Sequence, residues 1–223
     1  MSAIHAGFVD TIHDSQYCFR QLLTAMSQPG TFVDLNLVQG FGDMMDASTQ
    51  ILLALADNST PVWLSRQFEH DEVAKANFSF HLGAELLISQ QEDSQKKASF
   101  ALIGVDDMAK FDWAKAQFYV GNEEYPDRST TVIVEVSGLS DQATNHQLSS
   151  QSSSPCITLR LSGPGIECES ILSIESNSSQ SLKAMLSHRQ NNHFPLGLDF
   201  ILVCGQQLVA LPRSTRVEII SCM

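Results

Sequence analysis

Apolar residues recur at two different periods along the chain. Where every third or fourth position is apolar a helix with one buried stripe is expected, and where alternate positions are apolar a half-buried strand. In the first segment Phe19, Leu22, Leu23 and Met26 fall at i, i+3, i+4 and i+7, with Asp14 as the expected N-cap and Ser27–Gly30 as a Pro-Gly stop. "TFVDLNL" (31–37) then alternates, with Phe32 facing away from Val33. Ser48 is placed to cap a second helix, "TQILLALADN", which is apolar around most of its circumference and so expects burial on more than one side. "PVWLS" (61–65) reads as a strand with Pro61 at its start, where no ladder hydrogen bond is lost. "EHDEVAKANFSF" (69–80) reads as a helix with acids in its first turn and Val73 and Ala76 on one face.

Further on, "SFALIGV" (99–105) and "TTVIVEV" (130–136) are strands, and "DDMAKFDWAKAQF" (106–118) between them predicts a helix with Met108, Phe111 and Trp113 as core contacts. "CITLRLSGPGIE" (156–167) points Ile157, Leu159 and Leu161 one way and Thr158, Arg160 and Ser162 the other. Ser178 or Ser179 caps a helix that carries Leu182, Met185 and Leu186. At the end, "FPLGLDFILVC" (194–204) runs through Gly205 into "QQLVALP". A phosphate-binding loop needs a glycine turn followed by a helix N-terminus, whose free N–H groups face the anion. Here a second strand follows, so Gly205 turns a hairpin. Helices and strands alternate early and strands dominate late, which predicts one α/β domain over residues 1–223 with a mixed central sheet. The Ser-rich stretch at about 140–155 cannot bury surface and is expected to be a flexible loop.

Composition changes the picture mainly by exclusion. Thirteen Lys and Arg against 25 Asp and Glu give a net charge of −12. Without a clustered basic face, neither nucleic acid nor an anionic membrane surface is an expected partner. No apolar run approaches the length of a bilayer span, and "MSAIHAGFVD" lacks the charge and apolar stretch of a signal peptide, so a cytoplasmic protein is expected. Five scattered cysteines, with no C-x-x-C pair, fit reduced thiols, with Cys18 and Cys204 as core residues.

Candidate chemistry is sparse. His188 and His193 stand at i, i+5 and do not share a helix face, so no metal site is expected. There is no G-x-S-x-G elbow, no Gly-x4-Gly-Lys loop, and none of the six lysines sits in the apolar setting that a Schiff base needs. Consequently no catalytic, cofactor-binding or metal residue is assigned. "GPGI" (163–166) is open to two readings, a backbone nest for an anion or a tight turn with Pro164 at its first corner. "PRSTR" (212–216) sets Arg213 and Arg216 three apart, on opposite faces of an extended segment. These two arginines are the candidate interaction residues. They are either ordinary surface arginines or contacts to acidic groups, on a partner or within this acidic chain.

Five segments in order resemble the PhnH family, the H subunit of the bacterial carbon–phosphorus lyase core complex. They are "FRQLLTAMSQPG" (19–30), "ILLALADNSTPVWLS" (51–65), "FALI" (100–103), "LRLSGPGI" (159–166) and "FPLGLDFILVCGQQLVALPRSTRVE" (194–218). The resemblance implies a three-layer αβα sandwich similar to the large domain of pyridoxal-phosphate-dependent transferases, without that cofactor. It implies a homodimer in isolation and an assembly with companion subunits G, I and J. That assembly supports formation of ribose 1-phosphonate 5-triphosphate from ATP and an alkylphosphonate, before carbon–phosphorus cleavage by the radical-SAM subunit J. For this chain it implies a structural role in the assembly, and no catalytic residue carries over. The alternative from a different class is a stand-alone α/β enzyme or a binder of a small phosphate or nucleotide, using the crevice at the strand ends.

Overall fold

In the computed structural model, which describes residues 4–89, 91, 93–141 and 155–222, the elements alternate as the periodicity requires. In chain order they are α1 (Thr11–Ser27), β1 (Val33–Asp34), α2 (Asp46–Leu55), β2 (Val62–Leu64), α3 (Arg66–Glu69), α4 (Glu72–Leu82), β3 (Leu86–Ile88), α5 (Ser94–Lys97) and β4 (Phe100–Ile103). There follow α6 (Val105–Met108), β5 (Thr131–Glu135), β6 (Gly138–Ser140), β7 (Cys156–Ser162), β8 (Ser170–Glu175), α7 (Ser179–Gln190), β9 (Asp199–Cys204), β10 (Gln207–Leu211) and β11 (Arg216–Cys222). Residues 142–154, most of the expected Ser-rich loop, lie outside the described residues.

Seven strands form the central sheet in the order β1-β10-β9-β5-β4-β2-β3. Strands β3, β2, β4, β5 and β9 run parallel, and β10 and then β1 add antiparallel at one edge. The mixed sheet is therefore as the sequence predicts. Its two faces bury alternate residues of the same strands. Val62, Leu64, Leu102, Ile133 and Ile201 join a core under α1, α2 and α4, while Trp63, Ala101, Ile103, Val134 and Leu202 join a core on the other side. Burial on both faces explains why these strands read as continuous apolar runs.

The second face is covered by a four-stranded antiparallel sheet, β11-β7-β8-β6, together with α7. This layer is more strand than helix. Ile157, Leu159 and Leu161 of β7 point into the shared core, as the alternation predicts, and Leu182, Met185 and Leu186 of α7 meet them there. The Pro212–Thr215 turn carries the chain from β10 in one sheet to β11 in the other.

Several local expectations are corrected. The cap of α1 is Asp10, whose carboxylate accepts the His13 N–H, and Asp14 lies inside the first turn. The buried stripe of α1 is Cys18, Leu22 and Ala25, while Phe19 and Leu23 stay about half exposed at 46% and 52%. Two helical stripes fit the spacing, and packing on α2 and β10 selects the one with smaller side chains. Ser48 sits fully buried within α2, whose N-cap is Met45. On α4 the buried face is Ala74, Asn77 and Phe78, shifted from Val73 and Ala76.

Only Val33 and Asp34 of "TFVDLNL" pair as a strand, because β10 turns away at Gly205. Beyond that point buried Gln50 replaces the missing neighbour. Its amide donates to the Leu35 and Val38 carbonyls and accepts the Leu37 N–H, all at 2.9 Å. The helix expected over 106–118 breaks into the single turn α6 and a 3-10 turn, Trp113–Lys115. Asp112 causes the break by capping the new turn through the Ala114 N–H at 3.2 Å.

Gly205 has φ +61° and closes the two-residue β9–β10 hairpin, as read from the sequence. The "GPGI" segment is a tight turn closed by the Ile166 N–H on the Gly163 carbonyl at 3.2 Å. It packs on the Pro-Gly turn after α1, and a Cβ on Gly165 would run into the Ser27 carbonyl. Two of the quoted motifs thus meet in space.

Candidate functional site

Chemistry in open α/β sheets concentrates where neighbouring parallel strands send their connections to opposite faces. Strands β2 and β4 do this. After β2 the chain enters α3 and α4 on the α1–α2 side, and after β4 it enters α6 and the Trp113 turn on the other. The two exits are tied together. The Ser65 N–H donates to the Leu102 carbonyl at 2.9 Å, and the Ser65 hydroxyl accepts the Gly104 N–H at 3.2 Å. Asp107 accepts the Gln67 N–H at 2.6 Å, while Gln67 Oε1 accepts the Asp106 N–H at 3.3 Å. Buried Glu69 accepts the Ser89 N–H just after β3. The rim is therefore fixed by backbone-directed bonds.

Between these exits lies a cleft of about 270 Å³, walled by Trp63, Ser65, Arg66, Ser89, Lys110 and Phe111. Asp107 and Asp112 also reach it. Both carboxylates already have donors. Asp107 takes the Gln67 N–H, and Asp112 is paired with Lys115 at 2.8 Å, a contact that lowers the Asp112 pKa and raises that of Lys115. Arg66 and Lys110 have no ion-pair partner among the described residues. Trp63 is 2% exposed, and its indole N–H finds no acceptor there. Phe111 meets Trp63 edge-on at 6.0 Å, which extends the apolar wall. A neighbouring cleft of about 220 Å³ shares Lys110, Phe111 and Asp112 and reaches Trp113, whose buried indole N–H is likewise unpartnered. Two aromatic rings beside two cations without an ion-pair partner among the described residues make this cleft the candidate site.

The residues singled out from the sequence lie elsewhere. Arg213 is 15% exposed at its side chain and engaged inside the chain. It pairs with Asp199, and it donates to Ser129 and to the carbonyl of Pro126. The Arg213 N–H also donates to Asp199, at 2.6 Å. Arg216 is exposed at the start of β11. The pair therefore does not converge on one ligand, as the strand geometry anticipated. Buried Arg189, which the sequence reading passed over, secures the same turn by donating to the Pro212 and Thr215 carbonyls. Desolvation pushes its pKa down.

His188 packs against Trp113 and has its pKa lowered by burial, while His193 is exposed. Among the described residues no group of three His, Cys, Asp or Glu is placed to hold a metal ion. Cys18 is fully buried and its thiol pKa is raised by burial to about 11. Cys204 is half-buried and shifted upward for the same reason. No helix of the described residues is long and apolar enough to cross a membrane.

Sequence reasoning also missed Glu135, at the C-terminal end of β5. It is 1% exposed, accepts the Met45 N–H at 2.8 Å, and has its pKa raised by burial to about 7. The signal was a lone carboxylate inside "TTVIVEV", an apolar run whose alternation places position 135 on the α2 side.

Residues 6–218 match the family model described as the bacterial phosphonate metabolism protein PhnH. The alpha-D-ribose 1-methylphosphonate 5-triphosphate synthase subunit PhnH of Rhizobium meliloti (strain 1021) is 30% identical over 223 residues, covering 97% of each chain. HtxG of Stutzerimonas stutzeri, a candidate C–P lyase subunit protein, is 28% identical over 206 residues, covering 92% of this chain and 86% of its own.

Proposed function

Since the chain belongs to the bacterial PhnH family of phosphonate metabolism proteins, we propose that it is the H-type subunit of a carbon–phosphorus lyase system. In that role it supports formation of a ribose 1-phosphonate 5-triphosphate from ATP and an alkylphosphonate. The observation that carries this reading is the extent of the match. It runs through both sheets and the turn between them, so the likeness to a subunit named for that product is not confined to one segment. The companions are the other core subunits, G, I and J.

The fold reading that goes with it is kinship to the large domain of pyridoxal-phosphate-dependent transferases, although in this chain the layer on the second face is mainly a β-sheet rather than the helical layer of an αβα sandwich. We infer that the chain works without pyridoxal phosphate. An imine absorbance that borohydride removes would overturn that inference.

For assembly, Arg213 is already engaged with Asp199, so the contact to an acidic partner falls to exposed Arg216. The homodimer uses the β11 edge, where Ile219 and Ile220 are 40% and 38% exposed. A monomer at all concentrations in sedimentation would exclude it. The reading as a whole is tested in a bacterium whose own H subunit gene is deleted. This chain, expressed with companion subunits of its own operon, should restore growth on methylphosphonate as sole phosphorus source. Failure to grow, with the complex absent on purification, would sink it.

A further inference from the structure

We propose that the cleft between the β2 and β4 exits binds a small organophosphorus oxyanion, a phosphonate or a phosphate monoester. Arg66 and Lys110 hold the oxyanion, and Trp63 and Phe111 face its apolar substituent. The inference deepens the phosphonate reading and rests on it for the phosphorus. The geometry by itself asks for a small anion with an apolar group. Four observations converge on this cleft.

The first is its place, at the point in the parallel sheet where adjacent connections leave to opposite faces. The second is the buried indole N–H of Trp63, a wall of the cleft, which has no acceptor among the described residues. A buried donor without a partner is costly and uncommon; the nitrogen has no accessible surface, so a ligand oxygen would satisfy it only after a side-chain shift that opens the wall. The third is charge. In a chain of net −12, where Lys75, Lys96, Lys115, Arg160 and Arg213 are paired with carboxylates, two of the eight cations without an ion pair among the described residues, Arg66 and Lys110, line one small cleft. Of the carboxylates that reach the same cleft, Asp112 is paired with Lys115, while Asp107 is bonded to the neutral Gln67 N–H, which offsets no charge, so the cations exceed the unpaired carboxylate by one. The fourth is size and texture. About 270 Å³ lies just below the range of drug-sized sites, and the lining combines two aromatic rings with two cations. Inorganic phosphate would use only half of that surface.

The test titrates the full chain with methylphosphonate, methyl phosphate and inorganic phosphate, by calorimetry and by tryptophan fluorescence. Saturable binding of the two methylated ligands is expected, each a few-fold tighter than inorganic phosphate, as burial of one methyl group implies. The preference between the two methylated ligands tells a phosphonate site from a phosphate-ester site. Arg66→Ala/Lys110→Ala should weaken binding at least about tenfold, in line with loss of charge-assisted hydrogen bonds. Arg216→Ala should bind like wild type. Trp63→Phe should weaken binding several-fold while keeping the apolar wall; if it does not fold, the double cation variant decides. No saturable change with any ligand, wild-type affinity in the double variant, or equal affinity for inorganic phosphate would overturn the proposal. Growth on methylphosphonate restored by a chain that binds none of the three would leave the subunit reading standing and remove this one alone.

Discussion

Two sets of cations sit at opposite ends of the same parallel strands, and their states differ. At the start of β9, Arg213 is closed on Asp199, Ser129 and the Pro126 carbonyl, with Arg189 bracing the same turn from α7. At the far ends of β2 and β4, Arg66 and Lys110 stand exposed, without an ion-pair partner among the described residues. In the sequence Arg213 is the conspicuous one, as one of two arginines in "PRSTR", while Arg189 goes unremarked and Lys110 reads as an ordinary helix lysine. The difference teaches that a cation's role depends on the hydrogen-bonding capacity it has left. Saturated arginines fix the fold, and unsaturated ones are available to a ligand.

The sharpest way to break this comparison is Arg213→Ala. It would leave the Asp199 carboxylate, 12% exposed at its side chain, without its partner and would free the Pro126 carbonyl and Ser129. Removing one member of such a pair costs about 3–5 kcal/mol, which urea denaturation would register as a large drop in midpoint. Asp199→Asn/Arg213→Ala should recover part of that loss by removing the stranded charge. A single variant as stable as wild type would mean that the cluster contributes little.

Legibility follows the same division. The central strands were readable because burial on both faces leaves an unbroken apolar signature, as in "TTVIVEV" and "DFILVC". Short β3, β6 and β8 were not singled out, since three to six residues around Ser, Gly and Glu carry little periodic signal. The stripe of α1 was misassigned because both 19/22/23/26 and 18/22/25 satisfy helical spacing, and only the neighbours choose between them. The cleft was the least legible. Trp63 lies in β2, Arg66 just after it and Lys110 after β4, and the strand order that makes these segments neighbours is a tertiary fact. Phe111 and Trp113 were seen, but as core.

A second test moves to the C-terminal end of the parallel strands, with Glu135. Its folded pKa, about 7, is raised from 4.5 because burial penalises the carboxylate. The folded state therefore holds this proton more tightly than the unfolded chain. Its contribution is fully present below about pH 4.5, falls as pH rises, and is lost above about pH 7. That change is of order 3 kcal/mol. Glu135→Gln keeps an oxygen for the Met45 N–H and should flatten the stability profile between those pH values, with its largest gain near pH 8. An unchanged profile would show that the carboxylate is hydrated in the folded protein.

Gly205→Ala should cost less, about 1 kcal/mol. A Cβ there meets nothing within 4 Å, so the only cost is the left-handed φ of +61°. A thermal melt would read this as a shift of a few degrees. A much larger loss would show that the hairpin turn is constrained by more than its backbone angle.

The smallest expected effect completes the comparison. Arg66→Ala/Lys110→Ala removes as much formal charge as changing both arginines of "PRSTR", yet without ligand it should alter stability by less than about 0.5 kcal/mol. Neither side chain is buried, neither is ion-paired among the described residues, and the rim is held by Ser65, Gln67, Glu69 and Asp107 through bonds that the substitutions leave intact. Removing two positive charges from a chain of net −12 adds a little long-range repulsion, which salt screens over about 10 Å. Urea melts of the double variant and of Arg213→Ala, run side by side at moderate ionic strength, therefore compare the two ends of the sheet directly. If the double variant loses stability on the scale of Arg213→Ala, its cations are structural after all, and the distinction between saturated and available charge fails at the place where it was drawn.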